Sequence, residues 1–74
     1  MGTKLPVVNG DQLLRILIRA GWVKVRTKGS HVRLAKDDRH ATVAVHAGRM
    51  IPPGTLKAIL EDVGLTADEL RRLL

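Results

Sequence analysis

The chain has 74 residues, with 13 Lys and Arg against 7 Asp and Glu, a net charge of +6, and no cysteine. Disulfide frameworks, thiolate zinc sites and cysteine nucleophiles are thereby excluded, and a chain this short holds one small core. No apolar run is long enough for a membrane span, and the N-terminus lacks a signal peptide's apolar core, which predicts a cytoplasmic protein.

In chain order, Asn9-Gly10-Asp11-Gln12 predicts a helix start. Asn9 caps, Gln12 completes a capping box, and Val8 staples to Leu13. Leu13, Leu14, Leu17, Ile18 and Ala20 form the apolar stripe, Gly21 ends the helix, and Trp22 packs back onto Leu17. The period then changes from 3.6 to 2. Val23, Val25 and Thr27 alternate with Lys24, Arg26 and Lys28 in a half-buried strand. Gly29-Ser30 is a two-residue hairpin turn, and the next strand runs from His31 to Lys36. Lys36 to His40 predicts a polar turn, and a third strand runs from Ala41 to His46 with Val43 and Val45 inward. Pro52-Pro53 opens a helix with Leu56, Ile59, Leu60 and Val63 as its stripe, stopped by Gly64. Thr66 and Glu69 box the start of a last short helix, which Leu70, Leu73 and Leu74 could dock. The order α-β-β-β-α-α predicts an α+β fold, a three-stranded antiparallel sheet with helices on one face. Residues 1–74 form a single domain, with 1–8 as an N-terminal extension and 66–74 as the short C-terminal helix.

Charge is uneven along this plan. Residues 1–60 carry eleven bases and three acids, whereas residues 61–74 carry four acids and two arginines. Such asymmetry suits a polyanion, most often nucleic acid. Trp22 is the sole aromatic residue, which argues against platforms that stack successive bases.

Pairing across the two turns predicts a site. A Gly29-Ser30 turn sets Lys28 against His31, Arg26 against Arg33 and Lys24 against Ala35. A four-residue loop from Asp37 to His40 sets Lys36 against Ala41 and His31 against His46. The open face then carries Lys24, Arg26, Lys28, His31, Arg33 and His46. A histidine, whose unperturbed pKa is near ~6.5, can take a proton from a ribose 2′-OH or give one to a leaving oxygen. Lys and Arg stabilise charge on the phosphorane, and neither a metal nor another cofactor is required, because RNA supplies its own nucleophile. The same histidines also fit an ordinary exposed face, and a zinc site from His31, His40 and His46 is the weaker alternative. A non-catalytic RNA-binding module would use the same basic face. A DNA-binding regulator would need a helix offered to the major groove, for which the second helix, with only Lys57, and the third, acidic at its start, are poor candidates.

Five stretches carry a further signal: Gly21-Trp22, Lys28-Gly29-Ser30-His31, Thr42-Val43-Ala44-Val45-His46, Pro53-Gly54-Thr55-Leu56-Lys57-Ala58-Ile59-Leu60 and Val63-Gly64-Leu65-Thr66. Together they resemble the HicA toxin family of bacterial toxin–antitoxin systems, over about Asn9 to Leu74. The resemblance implies a double-stranded-RNA-binding-domain-like fold and an mRNA-cleaving endoribonuclease; in-line attack by a 2′-oxygen, which a stacked duplex resists, predicts cutting in single-stranded regions. The resemblance also implies His31 as the catalytic residue and a HicB-like antitoxin that covers the site. Around His31, the expected roles are His46 as second acid/base, and Lys28 and Arg33 at the phosphorane. Lys24 and Arg26 would track the backbone, with Gly29 and Ser30 shaping the turn. The sequence departs from the family at Ala44, where the third strand commonly has Pro.

Overall fold

The computed structural model describes residues 5–74. The element order is α1 (Gly10–Arg19), β1 (Val23–Lys28), β2 (His31–Lys36), β3 (Arg39–Ala44), α2 (Pro53–Val63) and α3 (Ala67–Leu73). The fold is α+β, as the periodicity predicts. The three strands form one antiparallel sheet in the order β1-β2-β3. Among the described residues, no helix is long and apolar enough to cross a membrane.

Local chemistry explains where the helices begin and end. The Asn9 side chain accepts from the Gln12 amide at 2.8 Å, and Gln12 Oε1 accepts from the Asn9 amide at 2.9 Å. This capping box satisfies two donors that a helix start leaves free. At the other end of α1, Gly21 takes φ +102°. There the Trp22 amide donates to Leu17 O at 3.0 Å, the closure that lets Trp22 bury against the helix it follows. Lys36 adds a cation, its Nζ donating to Ala20 O at 2.7 Å. Thr66 and Glu69 form a second box at the start of α3.

The core lies between the inner face of the sheet and α1, α2 and α3. Leu13, Leu17, Leu34, Val43, Leu56 and Leu70 are fully buried in it. Three expectations about burial are corrected. Ile16, not Ile18, completes the α1 stripe, and Ile18 is exposed. Only Leu70 docks α3, since Leu73 and Leu74 remain exposed. Residues 5–8 are less of an extension than expected. Val8 is fully buried and its carbonyl accepts from the Ile51 amide at 2.8 Å; residues 1–4 of that segment lie outside the described residues.

The largest correction concerns β1. Val23 and Val25 were expected in the core, yet they are 61% and 56% exposed. α1 and α2 pack over β3, so the helix layer stops short of β1. A bulge lies between Lys24 and Arg26 and shifts the register there, so that Val23 pairs with Ala35 on the open face and only Val25 is left at the uncovered helix-side edge. Such an extra residue increases local twist and is a common device at a sheet edge.

Candidate active site

The first hairpin sets the front of the site. Gly29 has φ +60°, and Ser30 keeps φ out of the positive region, the arrangement a two-residue turn with a leading Gly requires. Lys28 therefore faces His31 and Arg26 faces Arg33, as expected. Ser30 contributes through its backbone: its carbonyl accepts from the Val45 amide at 2.7 Å, which ties the turn to the end of β3. Lys24 departs from expectation. The bulge pairs it with Leu34 instead of Ala35, so it shares the helix-side face and is separated from Arg26 and Lys28.

The second hairpin differs from its expected form. Asp37 adopts φ +55°, a left-handed conformation that Asp tolerates better than most residues. This allows a two-residue turn, Asp37-Asp38, in place of the four-residue loop. Lys36 then pairs with Arg39, Leu34 with Ala41, Val32 with Val43 and His31 with Ala44. β3 accordingly runs from Arg39 to Ala44, two residues earlier than expected.

The shift separates the histidines. His31 and His46 are not cross-strand partners, because Ala44 occupies the place assigned to His46. His46 lies beyond the end of β3, where its carbonyl accepts from the Arg49 amide at 3.0 Å. His40 belongs to the strand and pairs with Ala35, on the open face but four residues along β2 from His31, roughly 13 Å. Among the described residues, no group of three ligating side chains gathers to hold a metal ion.

The open face is thus a short grid. Lys28, His31 and Ala44 form one row, and Arg26, Arg33 and Thr42 form the next. Every member except the half-buried Ala44 is exposed. Like charges directly opposed across a sheet destabilise it, yet Arg26 and Arg33 face each other in this way. Among the described residues, no acid pairs with Arg26, Lys28 or Arg33. The arrangement concentrates positive charge around one accessible imidazole. Thr42 and Ala44 were expected to point outward, but sequence reasoning missed that they face Arg33 and His31, and the Asp37-Asp38 pair was the signal that could have placed them.

Comparison with known proteins agrees with the motifs. No curated protein matches the chain. The family model described as the HicA toxin of bacterial toxin–antitoxin systems matches residues 10–65, from the start of α1 to just past α2. That span holds the whole sheet and both main helices, and the chain therefore belongs to the HicA toxin family, as the toxin of a system whose other component is an antitoxin.

Proposed function

We propose that the chain is a metal-independent endoribonuclease that cleaves single-stranded regions of mRNA, with His31 as its general acid/base. The observation that carries this reading is the exposed His31 flanked by Lys28 and by the unrelieved Arg26–Arg33 pair. A ribose 2′-oxygen attacks the adjacent phosphorus while its proton leaves to a base. The bond from phosphorus to the 5′-oxygen then breaks, and that oxygen takes up a proton. The products are a 2′,3′-cyclic phosphate and a 5′-hydroxyl. His31 serves one of these proton transfers, and Lys28 and Arg33 stabilise the phosphorane oxygens. Arg26 holds the neighbouring phosphate, and Lys24, set on the helix-side face by the bulge, drops out of the phosphate contacts. His46 loses its place as the facing partner of His31. The antitoxin, which we take to be HicB-like, would cover this basic face with acidic groups.

The His31→Ala protein should bind RNA as the wild type does and fail to cut it, and EDTA should leave wild-type cleavage unchanged. Mass spectrometry of the fragments should show cyclic phosphate ends. Chelator-sensitive cleavage, 5′-phosphate ends, or full activity in His31→Ala would overturn the mechanism.

A further inference from the structure

A cavity of about 160 Å³ opens at the β3 edge of the sheet, beside the candidate catalytic face. Ala44, His46, Arg49, Met50, Thr55 and Ile59 are among its lining residues. Ala44 is the register partner of His31, so their Cβ atoms are roughly 5 Å apart. The cavity therefore begins at the residue directly across the ladder from His31.

Its walls are built rather than incidental. The Ile51 amide donates to Val8 O at 2.8 Å, Asn9 bridges to Met50, and the Arg49 amide closes a turn onto His46 O at 3.0 Å. The loop from His46 to Ile51 is thus held at both ends before any ligand arrives, which lowers the ordering cost of binding.

We propose that this cavity is a nucleobase subsite of the ribonuclease, taking one pyrimidine ring next to the scissile phosphate; the proposal rests on the ribonuclease reading above. Three observations support it. First, Trp22, the sole Phe, Tyr or Trp of the chain, is 4% exposed, so no large aromatic platform is open to a base, and an unstacked base needs another seat, here apolar walls beside the His46 imidazole. Second, the size suits one ring, since an apolar cavity of about 150 Å³ accepts benzene. Third, Met50 and Ile59 supply apolar walls, while the Thr55 hydroxyl and the Arg49 guanidinium supply a donor–acceptor and donors for the polar edge of a base. Arg49 also brings a positive charge to the cavity itself.

The test uses short oligoribonucleotides with one abasic residue moved through each position, and reads kcat/KM. Loss of the base at one position beside the cut should lower kcat/KM at least ~10-fold, with little effect elsewhere. The cavity-filling Thr55→Leu protein should cut the intact RNA at that reduced rate and show no further loss with the abasic RNA. Met50→Ala, at an exposed wall residue, serves as a second variant should Thr55→Leu fold poorly. In parallel, the fully 2′-deoxy oligonucleotide is titrated into wild-type protein and amide shifts of Met50 and Thr55 are followed by NMR. Cleavage that ignores the abasic residue at every position overturns the subsite and leaves the ribonuclease reading intact. Absence of cleavage with shifts at Met50 and Thr55 overturns the ribonuclease reading and supports the base site. Absence of both, or shifts at these residues with the antitoxin but not with the oligonucleotide, overturns the subsite.

Discussion

Gly10 shows how closely one residue can govern the site from outside it. A Cβ there would lie 2.7 Å from Ala44 O and 2.9 Å from Val45 Cα. Both are backbone atoms, so α1 and the end of β3 would have to move apart. Gly10→Ala should therefore destabilise the fold by about 1–3 kcal/mol in urea denaturation. RNA cleavage should fall as well, because Ala44 sits opposite His31. Gly54→Ala is the control: nothing lies within 4 Å of its added Cβ and its φ is not positive. It should be neutral or stabilising, by up to ~1 kcal/mol, through a less disordered unfolded chain. His31→Ala should change stability by less than about 1 kcal/mol, since the side chain is exposed. A large loss of stability there would mean that His31 holds the hairpin together.

At the scale of elements, helix ends were fully legible and strand partners only partly so. Asn9 with Gln12, and Thr66 with Glu69, are local signals, and both boxes form. The β2–β3 register is a different kind of information. A slip of one residue would bury polar side chains, but a slip of two keeps every residue on its own face. Leu34 points inward whether it meets Val43 or Ala41, so hydrophobic alternation cannot distinguish the two registers. The deciding feature was the left-handed φ of Asp37, a property with only a weak sequence signature. The burial of β1 was illegible for another reason. Alternation says that one face of a strand is apolar, and not how far the helices extend over it. Val25 alternates like a core residue and lies beyond the helix layer, while the bulge sets Val23 against Ala35 on the open face. With little buried apolar contact to hold it, β1 should open locally at lower cost than its neighbours. Hydrogen exchange should show the hydrogen-bonded amides of β1 exchanging ahead of those on the β2–β3 ladder. Equal protection across the sheet would contradict this.

For the whole molecule, charge separates into a basic sheet face and a C-terminal segment rich in acids. Binding of single-stranded RNA to Arg26, Lys28 and Arg33 should release counterions. Each phosphate neutralised contributes about −0.7 to the slope of log K against log salt, so three contacts predict a slope near about −2. Filter binding between about 50 and 200 mM salt would give it, and Arg26→Ala should make it shallower by ~0.7. A flat dependence would place the RNA elsewhere. The antitoxin should feel the same field, with an association rate that falls as salt rises.

The order of strands in the sheet follows the order of strands in the chain, and both hairpins close through two-residue turns. Every strand pairing is therefore made between neighbours in sequence, and a hairpin of this kind closes in about 1–10 μs. No long loop has to be closed before the sheet can form, and topologies of this kind fold fast. His31 and its flanking cations all lie in those two hairpins, so the candidate site is complete as soon as the sheet is. The antitoxin consequently meets a toxin that is already shaped. Under the ribonuclease reading, control would come from capturing the finished molecule, with capture fast enough to compete with its first encounter with RNA.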